Sequence, residues 1–386
     1  MSFDRAAAFA LSPFGTLLPM PDPAGFSNSE TPLADVSGRV SNHASRLLAE
    51  GSQGSVYSSQ NPVTSSPWAV KVCKTQDSIN SLCREDMILS YLEGPHTVEK
   101  RGLVRSQQKA ELRMKRMESP DLFTLIHKNP ERFTSAVLFD IAKKGLEALH
   151  FFQSKGVVHS DIKTENCFYD FKTGKLTFID FGHAFFQGVE NWSGGTFGYL
   201  SPEKLLDLPV SFGIDMWALG VMLFEAYVGG NMFCPDEPYN AKDLIYAFAQ
   251  QFGDPFLEYL GMAVIQKRDG YSLEEIRKIF KSNYLQLEGK DFLTPPSIKR
   301  DRVFSIPWRD RIRSAAAQKG EQAEPIIRFL ERIFTCENRM TPEEGLRAFF
   351  PTSLSSGAFP PPLYSDSRSS SSFPENSDPM EEFSPG

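Results

Sequence analysis

His159-Ser160-Asp161-Ile162-Lys163-Thr164-Glu165-Asn166 and, further on, Asp180-Phe181-Gly182 crowd polar and charged residues into the middle of the chain. Between them, residues 167–171 and 176–179 read as short strands joined by Lys172-Thr173-Gly174-Lys175, a glycine-bearing hairpin turn. Upstream, Val137, Leu138, Ile141, Leu146 and Leu149 recur at helical spacing, with Thr134 or Ser135 as the capping residue. Ile79, Leu82, Met87, Leu89 and Leu92 form an earlier helical stripe, ended by Gly94-Pro95. Before it, residues 46–73 carry short apolar and β-branched runs separated by Gly-Ser and Asn-Pro turns, the pattern of strands joined by hairpins. From about residue 204 to 350 the period is mostly helical. The outcome is an α+β chain with a small strand-rich N-terminal lobe and a larger helical one.

Composition bounds the alternatives. The 386 residues allow two or three domains at about 150 residues each, or one large bilobal unit. With 41 Lys+Arg against 48 Asp+Glu the net charge is −7, which argues against a protein that coats nucleic acid. Cys73, Cys83, Cys167, Cys234 and Cys336 are odd in number and contain no C-x-x-C pair. That argues against both a disulfide framework and a cysteine zinc site, and favours a reducing intracellular compartment, cytoplasm or nucleus. Residues 1–20 have one Arg opposed by Asp4, and prolines at 13 and 19, so they make a poor signal peptide. The longest apolar stretch, 216–230, is interrupted by Glu225 and falls short of the roughly 20 residues a membrane-spanning helix needs. Residues 1–40 read as a flexible arm and 351–386, with Pro360 to Pro362 and many serines, as a disordered tail whose composition cannot offset chain entropy by burial.

Two upstream features carry possible chemistry. Gly51-Ser52-Gln53-Gly54-Ser55-Val56 lies between strand-like runs, where absent side chains let backbone N–H groups approach phosphate oxygens. The plainer reading is a hairpin turn, since Gly is the usual turn residue. Next, Ala69-Val70-Lys71 sets a lysine in an apolar run, and a buried charge there needs a partner, which Glu85 on the following helix could supply. Here the plainer reading is a surface lysine on an edge strand.

Taken together, these segments resemble the eukaryotic-type protein kinases, and the resemblance covers about residues 41–350. His159 to Asn166 is similar to the catalytic loop H-R-D-x-K-x-x-N, and Asp180-Phe181-Gly182 to the metal-binding D-F-G. Thr196-Phe197-Gly198-Tyr199-Leu200-Ser201-Pro202-Glu203 resembles the end of the activation segment, with Ser for Ala in A-P-E. Asp215 to Gly220 resembles the buried helix of the large lobe, and Arg339 falls where the family's late arginine pairs with the Glu of A-P-E, here Glu203. The resemblance implies a bilobal fold, an antiparallel-sheet N-lobe with one helix (about 41–117) and a mainly helical C-lobe (about 118–350). It implies a Ser/Thr protein kinase that uses ATP and Mg²⁺, with Mn²⁺ as an alternative ion, and acts on Ser or Thr hydroxyls of protein substrates. A monomer is the default.

The same resemblance implies roles. Lys71, held by Glu85, contacts the α- and β-phosphates, and Asn166 and Asp180 offer the hard oxygen ligands Mg²⁺ prefers. Asp161 orients the acceptor hydroxyl and takes its proton, while Lys163 stabilises charge on the transferred group. Gly51, Gly54 and Val56 cover the nucleotide, and Ala69 and Phe168 sandwich adenine. Met114 stands at the back of the pocket, and Lys115, Arg116 and Met117 form the hinge. Thr196 fixes the loop that receives the acceptor, and Asp121, Glu165 and Glu225 fall where Arg-directed kinases place carboxylates, although they also read as ordinary surface acids.

There are departures. The first glycine of the family's loop falls on Ala49 and its aromatic tip on Gln53, so closure over ATP is looser. The Arg of H-R-D is Ser160, which removes the usual cation for an activation-loop phosphate, so activity is expected without loop phosphorylation. The long insert at 236–310 has helical periods at 243–251 and 272–280. Its basic run, Lys299-Arg300-Asp301-Arg302 with Arg309, Arg311 and Arg313, reads as a partner surface or, more simply, as a solvated face. A pseudokinase scaffold is the alternative function, disfavoured because Lys71, Glu85, Asp161, Asn166 and Asp180 are all present.

Overall fold

A computed structural model of the chain describes residues 46–60, 67–253, 255–256, 259 and 306–351, less short breaks at 52–53, 107, 189–193, 206–207 and 234–240, together with two short strands near the N-terminus. Those two strands, β1 (Phe9–Leu11) and β2 (Leu17–Pro19), pair antiparallel within the region expected as an arm. The serine-rich tail beyond Pro351, the helical period at 272–280 and the run Lys299 to Arg302 lie outside the described residues.

The N-lobe is a five-stranded antiparallel sheet. Its strands are β3 (Leu47–Gly51), β4 (Gly54–Gln60), β5 (Pro67–Cys73), β6 (Lys100–Arg105) and β7 (Ala110–Lys115), in the order β3-β4-β5-β7-β6. β7 alternates buried and half-buried residues, putting Ala110, Leu112 and Met114 into the core as period-2 geometry requires. β5 lies at the centre of the sheet, so Lys71 is not on an edge and is only 7% exposed, which overturns the surface reading of that lysine. Helix α1 (Gln76–Tyr91) starts at Thr75, whose hydroxyl accepts the Ser78 N–H while Ser78 returns the contact to the Thr75 N–H. This reciprocal cap satisfies two donors that a helix start would otherwise leave unpaired. It fixes the register in which Ile79, Leu82, Ile88 and Leu89, and also Glu85, face inward.

The C-lobe is helical, with α2 (Leu122–Lys128), α3 (Ser135–Ser154), α4 (Pro202–Leu205), α5 (Gly213–Val228), α6 (Ala241–Phe252), α7 (Trp308–Lys319), α8 (Glu324–Ile333) and α9 (Pro342–Phe349). Two short antiparallel pairs carry the site: β8 (Val157–Val158) with β11 (Phe185–Phe186), and β9 (Cys167–Asp170) with β10 (Lys175–Phe178). α5 is buried on nearly every side, as an all-round apolar helix must be. Its Trp217 sits among Phe233, Phe248, Phe252 and Phe334. Gly145 of α3 faces Leu219 so closely that a Cβ would lie 2.6 Å from that side chain, and its absence lets α3 and α5 approach.

α3 is capped by Thr134, whose hydroxyl accepts the Val137 N–H. Its Ser135 N–H and hydroxyl are taken by the distant Glu321 carboxylate at 2.7–3.0 Å, an anion at the positive end of the helix. Of the expected basic patch, the three described arginines are matched internally. Arg309 pairs with Glu331, Arg313 with Asp310 and Glu324, and Arg311 donates to the carbonyls of Asn231 and Met232.

Candidate active site

Backbone conformation places the key carboxylates. Asp180 adopts left-handed φ/ψ of 60° and 70° at the end of β10, and its side chain accepts the Gly182 N–H, closing a tight turn. That turn packs under α1, where Ser81 donates to the Gly182 carbonyl at 3.1 Å. Consequently Lys71 of β5 reaches both Glu85 of α1 (2.8 Å) and Asp180 (2.7 Å). Burial on its own would push the Lys71 ammonium down, but Glu85 and Asp180 more than offset it and hold it well above the ordinary lysine value. Burial likewise opposes ionisation of Asp180, yet Lys71 keeps it below the ordinary carboxylate range. The cation therefore fixes α1, β5 and the Asp180 turn in one arrangement.

The second cluster is built on the loop between β8 and β9. Asp161 is buried and accepts from three groups: the Thr196 hydroxyl at 2.8 Å, Lys163 at 3.1 Å and the Asn166 amide at 3.0 Å. Lys163 also donates to Thr196 at 2.8 Å, which closes a triangle between the loop and residue 196. Burial raises the Asp161 carboxyl, but Lys163 and Thr196 overcome it and hold the group below its ordinary value, so it is an anion at neutral pH. His159 lies beneath, its ring against Phe181 at 4.5 Å, its Nε2 at 3.1 Å from the Ile179 carbonyl and its Nδ1 accepting the Asp161 N–H at 3.3 Å. From α5, the Asp215 carboxylate accepts the N–H groups of His159 and Ser160 at 2.7 and 2.8 Å. Burial raises Asp215, and those N–H groups compensate it in part.

These residues can do specific chemistry. The Asn166 amide nitrogen is committed to Asp161, both side chain and carbonyl, which leaves its amide oxygen to face a cation. With Asp180, whose side chain is a third exposed, this gives two hard oxygen donors, the set suited to Mg²⁺. Among the described residues no three His, Cys, Asp or Glu cluster as a metal cage. One carboxylate and one amide fit an ion whose remaining ligands are phosphate oxygens and water.

The expected nucleotide residues flank this centre. Ala69 and Met114 are cross-strand partners on β5 and β7, Met114 buried and Ala69 half-exposed. Phe168 is half-buried on β9, and Met117 is half-buried against the core. In the hinge, Lys115 and Arg116 donate their N–H groups to the Glu99 and Pro67 carbonyls. Gly51 and Gly54 pair across the β3–β4 hairpin, and Val56 sits opposite Ala49. Gly54 has a packing reason to be glycine, because a Cβ would lie 2.4 Å from the Val72 carbonyl oxygen. The tip residue Gln53 lies outside the described residues.

The three acids expected to bind substrate differ in their surroundings. Asp121 caps α2, accepting the Thr124 N–H at 2.7 Å. Glu225 is buried and hydrogen-bonded by Tyr199 and Thr164, and burial raises it, so it serves the core as much as any ligand. Glu165 alone is exposed, and it accepts from the Thr164 hydroxyl at 3.2 Å. Glu203 of α4 and Arg339 form the expected pair, at 2.6 and 3.1 Å. Lys204, which sequence reasoning passed over, reaches Ser160. The clue was the absence of a cation at 160 with one appearing directly after Glu203.

A family model for the protein kinase domain matches residues 43–304. The chain belongs to the protein kinase family. Among kinases of known identity, it is 29% identical to mitogen-activated protein kinase kinase 10 of Arabidopsis thaliana over 191 residues, 47% of this chain and 61% of that protein. It is 28% identical to cAMP-dependent protein kinase type 3 of Saccharomyces cerevisiae over 194 residues, 49% of this chain and 48% of that one. With serine/threonine-protein kinase ppk15 of Schizosaccharomyces pombe it shares 26% over 329 residues, 80% of this chain and 61% of that protein. The chain thus spans about half to three-fifths of the length of these kinases. Their kinase fold accounts for the antiparallel N-lobe and helical C-lobe described above. No helix among the described residues is long and apolar enough to cross a membrane.

Proposed function

We propose that the chain is a Ser/Thr protein kinase that transfers the γ-phosphate of MgATP to protein hydroxyls without needing phosphorylation of its activation segment. The observation that carries this reading is the triangle of Asp161, Lys163 and Thr196 beside Asn166 and Asp180. In this reading the acceptor oxygen attacks the γ-phosphorus, its proton passes to Asp161, the bond from the γ-phosphorus to the β–γ bridging oxygen breaks, and ADP leaves with that oxygen. Lys163 faces the charge on the transferred group and Lys71 holds the phosphates, since such catalysis is mostly positioning and charge neutralisation. Mg²⁺ at Asn166 and Asp180, or Mn²⁺ in its place, supplies further neutralisation.

The kinase unit is assigned to residues 41–350, flanked by the arm and the tail, in a monomer that works inside a cell. Its substrates carry Arg N-terminal to the acceptor, a preference supported chiefly by Glu165, the exposed acid, with Glu225 beneath it. Transfer of labelled γ-phosphate to a peptide array, scanned for Arg around Ser, Thr and Tyr, tests the whole reading. Signal on Ser or Thr, lost in Asp161→Asn, is expected. No transfer with nucleotide binding intact would replace it with the scaffold reading, and signal indifferent to Arg would remove the substrate preference alone.

A further inference from the structure

Ser160 immediately precedes Asp161, and its backbone is held at a φ of +69°, a left-handed conformation that is unfavourable for a non-glycine residue. Such a conformation persists only where surrounding contacts over-determine it. Two sets of contacts do so. Asp215 takes the N–H groups of His159 and Ser160, and Lys204 donates its ammonium to the Ser160 carbonyl at 2.9 Å and to the Ser160 hydroxyl at 2.5 Å. The Ser160 carbonyl belongs to the same peptide plane as the Asp161 N–H, which goes to His159. Lys204 therefore fixes the orientation of the peptide that leads into Asp161.

The setting is built for that contact. Lys204 lies with Ser160, Asp161, Thr196, Leu200 and Ser201 around one small pocket. Gly195, at a φ of +113°, runs so close above it that a Cβ would stand 2.9 Å from the Ser160 carbonyl oxygen and 3.1 Å from the Lys204 ammonium nitrogen. Burial brings the Lys204 ammonium below its ordinary value, and Asp215 and Asp161 offset that only in part. Lys204 also follows Glu203 directly, and Glu203 is locked by Arg339. A chain of charge contacts thus runs from Arg339 through α4 to the catalytic loop.

We propose that Lys204 is a positioning residue that ties the end of the activation segment to the catalytic loop, so that no phosphate is needed there. The inference rests on the kinase reading. An arginine at 160 would place a cation in the loop and await an anion on the segment. Here the cation sits on the segment and its acceptors sit in the loop, so the tie is complete in the unmodified chain.

The test uses the full chain with Lys204→Met and Lys204→Arg, each treated with a broad-specificity phosphatase. Hydrogen exchange is followed at the amides of residues 159–163 and 194–205, and kcat and KM are measured for MgATP and a peptide. The wild type should keep its rate after phosphatase treatment. Lys204→Met should exchange about tenfold faster at 159–163 and lose about 10- to 100-fold in kcat with KM for MgATP within about twofold, the pattern of lost positioning rather than lost binding. Lys204→Arg should recover to within about threefold. If Lys204→Met does not fold, Lys204→Gln, which keeps a donor without the charge, takes its place with the same expectation. Unchanged exchange and kcat in the methionine variant, or a wild-type rate that falls on phosphatase treatment, would overturn the proposal. A wild type that transfers no phosphate would instead overturn the kinase reading, while the exchange data still decide whether the tie exists.

Discussion

Removing Arg339 tests how the segment's end is held. Its guanidinium donates to both Glu203 carboxylate oxygens at 2.6 and 3.1 Å, to the Gly213 carbonyl at 2.7 Å and to the Thr335 carbonyl at 3.1 Å, and it lies over the Trp217 ring at 5.1 Å. The side chains are only 4% and 11% exposed. At about 3 Å and an effective dielectric near 20, the attraction is about 5 kcal/mol. Desolvation of both ions offsets most of this, so the pair adds little net stability while the loss of one partner is severe. Arg339→Met leaves Glu203 buried without its counter-ion and should cost about 3–5 kcal/mol of unfolding free energy in urea. Arg339→Lys keeps the charge but cannot span four acceptors, so it should lose about half as much. Glu203→Gln strands the guanidinium and should cost about 2–3 kcal/mol, and the double variant should cost no more than the worse single one. A coupling of at least about 2 kcal/mol is therefore expected from the cycle. Additive losses, or a methionine variant within about 1 kcal/mol of the wild type, would refute the reasoning.

Three further outcomes are expected. Thr196→Val, which keeps shape but removes the hydroxyl between Lys163 and Asp161, should lower kcat about 10- to 100-fold with KM for MgATP unchanged, whereas Thr196→Ser should stay within about threefold in the same steady-state assay. His96 is buried, its Nδ1 has no hydrogen-bond partner among the described residues, and burial pushes it down to about 4. A depressed histidine contributes stability that is complete above its unfolded value near 6.5 and is lost as pH falls toward 4, about 3 kcal/mol in all, so urea titrations of His96→Phe should show that part of the acid dependence removed. At Glu321 burial raises the carboxyl, but Ser135 and Tyr227 pull it below the ordinary range, so its contribution is present above about pH 4.5 and fades as pH drops through its folded value. Glu321→Gln should cost about 1–2 kcal/mol at pH 7 and progressively less below pH 4.5, read by thermal unfolding across that window.

What could be read from the chain before its structure follows from how local the signals are. Asp161, Lys163 and Asn166 stand at fixed spacing on one loop, and Asp180 follows one hairpin later, so motif order alone brought them together. Arg339 and Glu203 are far apart in sequence, and only the resemblance to kinases joined them. Asp121 matched a substrate-binding position, yet in the fold it caps α2, and local helix chemistry claims at least one of its oxygens. Lys71 carried two readings because strand order is a tertiary property, and a central strand looks like an edge strand in isolation. The Glu321 contact to Ser135 and the Lys204 contact to Ser160 left no periodic trace, since each joins one side chain to a backbone group on a distant element.

The two strained residues of the site explain why its charges are arranged as they are. Ser160 and Asp180 both occupy the left-handed region, at φ +69° and +60°, and each stands next to or at a carboxylate that the proposed chemistry uses. Each conformation costs about 1–2 kcal/mol, whereas a hydrogen bond to a charged group returns about 1.5–3 kcal/mol. Asp180 is held by Lys71 and by the Gly182 N–H, and Ser160 by Asp215 and Lys204. At both positions the compensating ammonium comes from a different element, β5 for one and α4 for the other. Displacing either element removes the compensation at once, so the strained, aligned state exists only when lobe, loop and segment are together. The same four contacts that stabilise the backbone thereby make the geometry of Asp161 and Asp180 conditional on the whole assembly, which is the behaviour required of a site that works by positioning.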